Sequence, residues 1–141
     1  MIQRVQSAYL LIGAIVVAVP FFVGFPELEA TSPPGVATVW TVLFALTAAL
    51  GLVAIFLYAN RERQQIVAFW SQIAAALGVI IVVGGLILYG ASGSGVSALY
   101  SDTPGVVAVL APVVAAFMYR RARAGIARDI NLIRSVDRLR D

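Results

Sequence analysis

The chain has 141 residues, of which 61% are hydrophobic and only 12% charged, with no histidine and no cysteine. Soluble domains carry about a quarter charged residues, so a soluble globular domain is excluded, and so are thiol, imidazole and disulfide chemistry. All 10 basic residues are arginine, which removes Schiff-base lysine chemistry as well.

From the N-terminus, charges divide the chain into long apolar stretches. A helix needs about 20 apolar residues to cross a hydrocarbon core of roughly 30 Å, and each stretch has room for one. The expected spans are 5–25, 36–59, 66–89 and 104–119. Backbone polar groups cannot stay unpaired in lipid, so these spans should be helical. Val- and Ile-rich runs such as Val79-Ile80-Ile81-Val82-Val83 lack the alternation that barrel strands require. The first apolar region is longer than the usual 7–15-residue core of about that length in signal peptides, and no small-x-small cleavage site follows it, so it is expected to remain as a span. Pro20 falls inside this first span, as Pro112 does inside the fourth, and each is read as a tolerated kink.

The segment from Pro26 to Gly35 is polar and proline-rich, with Ser32-Pro33 as a helix-start signal and Glu27 and Glu29 as a solvated acidic pair. Asn60-Arg61-Glu62-Arg63-Gln64-Gln65 reads as a tight connection between antiparallel neighbours, and Ala91-Ser92-Gly93-Ser94-Gly95 as a flexible loop. Ser101-Asp102-Thr103-Pro104 supplies a cap for the fourth span. Every arginine falls on one side of this arrangement, whereas the other side carries only Glu27, Glu29 and Asp102. The positive-inside rule therefore places both termini in the cytoplasm.

Within the spans, aromatic residues gather toward the expected water interfaces: Phe21, Phe22, Phe25, Trp40 and Tyr89 outside, Tyr58, Phe69, Trp70, Phe117 and Tyr119 inside. Small residues recur at helical spacing, for example Ser71, Ala74, Gly78 and Gly85, or Ala108, Ala111 and Ala115. They allow close approach where no hydrophobic gain drives helix pairing; packing within one chain is the favoured use, a seam between copies the other. Gln72 is the only amide well inside an apolar run and is read as a structural hydrogen-bonding group. Spacing for metal ligands, phosphate loops or nucleophile elbows is absent, so no cofactor, metal or catalytic residue is expected.

After Tyr119 the composition becomes arginine-rich. Arg120, Arg121 and Arg123 are expected at the membrane surface, anchoring the last span against anionic lipid. Beyond them Ile126, Ile130, Ile133, Val136 and Leu139 form an apolar stripe at helical steps. This tail, 120–141, is expected to be an amphipathic helix lying on the membrane, on a second copy or on a protein partner. Interspersed Asp129, Asp137 and Asp141 and the lack of later aromatics argue against nucleic acid.

The opening Met1-Ile2-Gln3-Arg4-Val5-Gln6-Ser7-Ala8-Tyr9-Leu10-Leu11 resembles the start of domain-of-unknown-function family 4293, whose members begin Ile-Gln-Arg-x-Gln-x-x-Tyr-Leu. The closing Asp129-Ile130-Asn131-Leu132-Ile133-Arg134-Ser135-Val136-Asp137-Arg138-Leu139-Arg140 is similar to that family's terminal Leu-x-Arg-Ser-x-Asp-Arg-Leu-Arg element. The resemblance implies a small bacterial inner-membrane protein and carries no assigned activity. The expected fold is thus all-α: a four-span membrane helix bundle over 1–119 with a cytoplasmic C-terminal amphipathic helix. The expected role is non-enzymatic, as a scaffold or accessory subunit. A small oligomeric transporter or channel for a neutral or lipophilic solute is the alternative.

Overall fold

The computed structural model describes residues 2–23, 35–90 and 103–138. The expected loops and caps at 26–34, 91–95 and 101–102, the acidic pair Glu27 and Glu29, and Leu139 lie outside the described residues. The described residues are helical: α1 (Ile2–Ala18), α2 (Pro20–Val23), α3 (Val36–Phe56) with a 3-10 turn at Leu57–Ala59, α4 (Arg61–Gly90) and α5 (Thr103–Arg138).

Proline explains the first break. Pro20 has no N–H to give to the preceding turn, so α1 stops at Ala18. Val19 closes it with bonds from its N–H to the carbonyls of Ile15 and Val16, and its own carbonyl then accepts from Phe22 and Val23. Pro112 lies within α5 without interrupting it. Gly35 opens α3 from the left-handed region at φ 95°, a conformation that glycine adopts without steric cost.

The connection between α3 and α4 is shorter than the six polar residues from Asn60 to Gln65 suggest. Asn60 is extended, and its Oδ1 accepts from the Arg63 N–H at 3.1 Å. That side-chain cap, with Glu62 in the positive first turn, starts α4 at Arg61. The last helix is longer than expected too. The apolar run 104–119 and the arginine-rich segment form one uninterrupted helix of 36 residues, about 54 Å long.

The long helices pack side by side: α5 against α4 and α1, α4 against α3, and α3 against α1, which closes a ring. Small residues line the inside, as expected for Ser71, Ala74, Gly78, Ala108, Ala111 and Ala115, all buried. The hydroxyls of Thr47 and Ser71 bond the preceding turns, at Leu43 and Val67, and so are satisfied within their own helices. The outside is apolar, with Val42, Leu46, Leu52, Ile80, Leu110 and Phe117 exposed. Three helical stretches, Val5–Val23, Thr38–Ala59 and Arg61–Gly84, are long and apolar enough to cross a membrane. The first residues of the expected fourth span, 104–119, lie outside those whose side chains are described, and from Val106 on the run stays apolar up to Tyr119.

Two aromatics do not take the interfacial places expected of them. Trp40 is only 4% exposed, and its Nε1 has no hydrogen-bond partner among the described residues. Tyr119 is completely buried. Its ring enters the interior where α1 and α3 both present glycine, and a Cβ at Gly13 or at Gly51 would stand 2.9 Å from its Cε1. The hydroxyl donates to the Thr47 carbonyl at 3.2 Å. Hydropathy places both rings near helix ends, but their direction around the helix puts them inside.

Candidate functional site

Polar side chains of the described residues concentrate at the end of the ring where α1 and α4 begin and α5 finishes. Asp129, on α5, is 6% exposed. Its Oδ2 accepts from Gln6 Nε2 of α1 at 2.8 Å and faces Arg61 Nη1 of α4 at 3.0 Å. Gly125, one turn earlier on α5, makes room for this: a Cβ there would lie 2.8 Å from Gln6 Cγ. Burying a carboxylate is costly unless it gains a counter-charge and hydrogen bonds, and Arg61 and Gln6 supply both. The group ties three helix ends together.

One and a half turns toward the ring's centre, Arg123 Nη1 donates to Gln72 Oε1 at 3.0 Å, and its guanidinium carbon sits 4.6 Å from the centre of the Phe69 ring. Gln72 is therefore a structural hydrogen-bonding group. Phe69 and Trp70 meet edge to face at 5.7 Å, with Phe69 committed to Arg123. Farther out, Arg134 and Glu62 pair at 3.1 Å with both side chains well exposed. Such a pair adds little stability in water.

The remaining expected site residues separate. Arg120 and Arg121 are exposed, whereas Arg123 is half-buried against α4. Along the apolar stripe, Ile126 is fully buried and Ile130 packs against the core, so both are spent on contacts within the chain. Ile133 and Val136 are exposed, together with Leu132. The division follows from length: α4 begins at Arg61, already level with Asp129, and past that point α5 has outrun α4.

The Gln6–Asp129–Arg61 cluster is missed by reading the chain linearly. Asp129 looks like one acid interrupting a basic tail, and Gln6 like a polar residue at the very start of a span. Gly125, four residues before Asp129, and an amide at the margin of an apolar run are the signals that point to it. Gln6 and Asp129 also belong to the two patterned ends of the chain, 123 residues apart, which the fold brings into contact.

Chemically, the cluster is self-satisfied and gives no nucleophile or open ligand set. Among the described residues no three His, Cys, Asp or Glu side chains gather where they could hold a metal ion. A separate outward-facing apolar groove of about 470 Å³ runs between α3 and α4, lined by Thr38, Val42, Leu46, Leu77 and Ile81 among others.

No curated protein and no solved structure matches the chain. A family model matches residues 27–139, which include Arg61, Gln72, Arg123 and Asp129 and stop short of Gln6. With most of its length so matched, the chain belongs to the family described as Domain of unknown function (DUF4293).

Proposed function

We propose that this is a multi-pass protein of the bacterial inner membrane with both termini in the cytoplasm, acting without catalysis as an accessory or scaffold subunit of a membrane complex. One observation carries this reading. α5 continues past the start of α4 and leaves Leu132, Ile133 and Val136 exposed on its helix surface. Apolar residues on a helix surface that none of the described elements covers fit a partner's groove. The partner is a protein with an apolar groove and an acidic rim, because exposed Arg128 flanks the patch.

The placement draws support from the arginine asymmetry along the chain and from the apolar outer surface of the ring. The apolar run of α5 then acts as a short fourth span. Tags at Met1 and Asp141 should both report cytoplasm, and a tag near Ser94 the outside; termini on opposite sides would refute this topology. Mild-detergent purification from native membranes should recover a stoichiometric partner, lost on replacing Ile133 and Val136 with Asp. A lone monomer under those conditions refutes the scaffold role.

The groove between α3 and α4 favours a second reading, an oligomeric pathway for a lipophilic solute. Its lining is almost wholly apolar and opens outward, which suits a molecule entering from the bilayer. Flux of lipophilic dyes into proteoliposomes tests it; no flux across such a panel removes it.

A further inference from the structure

Polar groups are scarce in the half of the ring where α3 and α5 begin. The chain has no hydroxyl, amide or charged side chain from Leu10 to Val23, from Ile73 to Leu88 or from Val106 to Phe117. On α3, the Thr47 hydroxyl is satisfied within its own helix and Thr38 lines the outward groove. Two buried polar groups are not satisfied in this way. One is the indole N–H of Trp40, a buried donor with no acceptor among the described residues. The other is the main-chain carbonyl of Ala108. In a continuous helix it accepts from the N–H four residues on, and here that residue is Pro112, which has none. Ala108 and Pro112 are both buried, so the carbonyl between them lies on the inward face of α5. A buried backbone acceptor without a partner is costly, and α5 has no serine or threonine near it to donate instead.

The donor and the acceptor face one another across the ring. A Cβ at Gly78 of α4 would lie 3.0 Å from the Phe44 ring of α3 and 3.4 Å from Pro112 Cβ of α5, which puts Phe44 and Pro112 at one depth. Gly51 and Tyr119, each seven residues farther along its helix, are also at one depth. Thus α3 and α5 run in the same direction and in step. One turn before Phe44 is Trp40, and one turn before Pro112 is Ala108, each displaced by about 6 Å in the same sense. Indole N–H is a donor only and the carbonyl an acceptor only, so the pair is complementary, yet the indole makes no direct bond to it. A hydroxylic molecule between them serves both, and water is the smallest. Buried waters take two to four polar partners from groups of this kind.

We infer that Trp40 and Ala108 form a binding site for one ordered water molecule, whose oxygen accepts the indole N–H and which donates to the carbonyl that Pro112 leaves free. The bridge joins α3 to α5 through the middle of the ring. It repeats, two turns earlier along both helices, the link that Tyr119 makes to the Thr47 carbonyl. Pro112 then supplies an acceptor in addition to shaping its helix.

Solution NMR of the full chain in detergent micelles tests this, with Trp70→Phe present throughout so that Trp40 gives the single indole signal. A heteronuclear-edited rotating-frame Overhauser spectrum should show a cross peak from the Trp40 indole hydrogen to water, with the sign of direct proximity and not of exchange. Pro112→Ala returns an N–H to the Ala108 carbonyl, and alanine is the better helix former. In that variant the cross peak should be lost and the indole resonance should move upfield, as the water has lost its acceptor. Pro112→Gly returns the same N–H and serves if the alanine variant does not fold. Absence of the water cross peak in the parent overturns the site. A cross peak that survives both substitutions, as one relayed through a threonine hydroxyl would, overturns Ala108 as the acceptor and the bridge with it.

Discussion

Tyr119 and Gly51 are expected to depend on one another. Ordinary contacts between carbon atoms are about 3.5–4.0 Å, whereas a Cβ at Gly51 would stand 2.9 Å from Tyr119 Cε1. The atom nearest that Cβ is the Tyr119 hydroxyl oxygen itself, so Gly51→Ala pushes the end of the ring aside by about 1 Å or more and displaces the hydroxyl from its bond to the Thr47 carbonyl. Overpacking costs about 1–3 kcal/mol, and the bond is worth about 0.5–1.5 kcal/mol. Against this, alanine is about 0.8–1.0 kcal/mol better than glycine inside a helix. The net expectation is a loss of about 1–3 kcal/mol. In a Tyr119→Ala background the clash is gone, and Gly51→Ala should be neutral or slightly stabilising. SDS titration of the protein in dodecyl maltoside micelles, followed by tryptophan fluorescence, to which buried Trp40 and exposed Trp70 both contribute, measures both. If Gly51→Ala costs the same with and without the tyrosine ring, the interlock of α5 with α3 described above is wrong.

Three further outcomes are expected. Asp129→Ala should destabilise the protein by about 2–4 kcal/mol in the same titration, because Gln6 is left buried without its acceptor and Arg61 loses its counter-charge; a loss below about 0.5 kcal/mol would show that the helix ends are not joined there. Glu62→Gln, which breaks an exposed pair with Arg134, should change stability by less than about 0.5 kcal/mol, and a larger loss would mean that this pair is not solvated. Ile133→Asp with Val136→Asp should leave the unfolding midpoint unchanged, whereas Ile126→Asp, placing a charge in the core, should prevent stable folding; equal effects of the two would contradict the division of the stripe.

The helical class, the approximate extents of α3 and α4 and the structural role of Gln72 are legible in the amino-acid order, and Pro20 marks a kink there that the structure turns into a break between α1 and α2. Each rests on a local property: length of apolar run, a missing N–H, or one amide amid apolar residues. The start of α4 at Arg61 was partly legible, since Asn60 followed by Glu62 is a helix-start pattern that the polarity of the segment hides. The placement of Tyr119, Trp40, Ile126 and Asp129 was not. Lipid tails are as apolar as leucine, so in a span the inward and outward faces of a helix need not differ in hydropathy, and nothing periodic marks the buried one. Packing supplied the missing coordinate. Glycines at 13 and 51 admit the Tyr119 ring, Gly125 admits Gln6, and the side-by-side alignment of α4 and α5 fixes which charged and polar groups meet. Composition along the chain set where the helices run; direction around each helix axis, which decides whether a residue faces a neighbour or the surroundings, was settled only by the contacts between them.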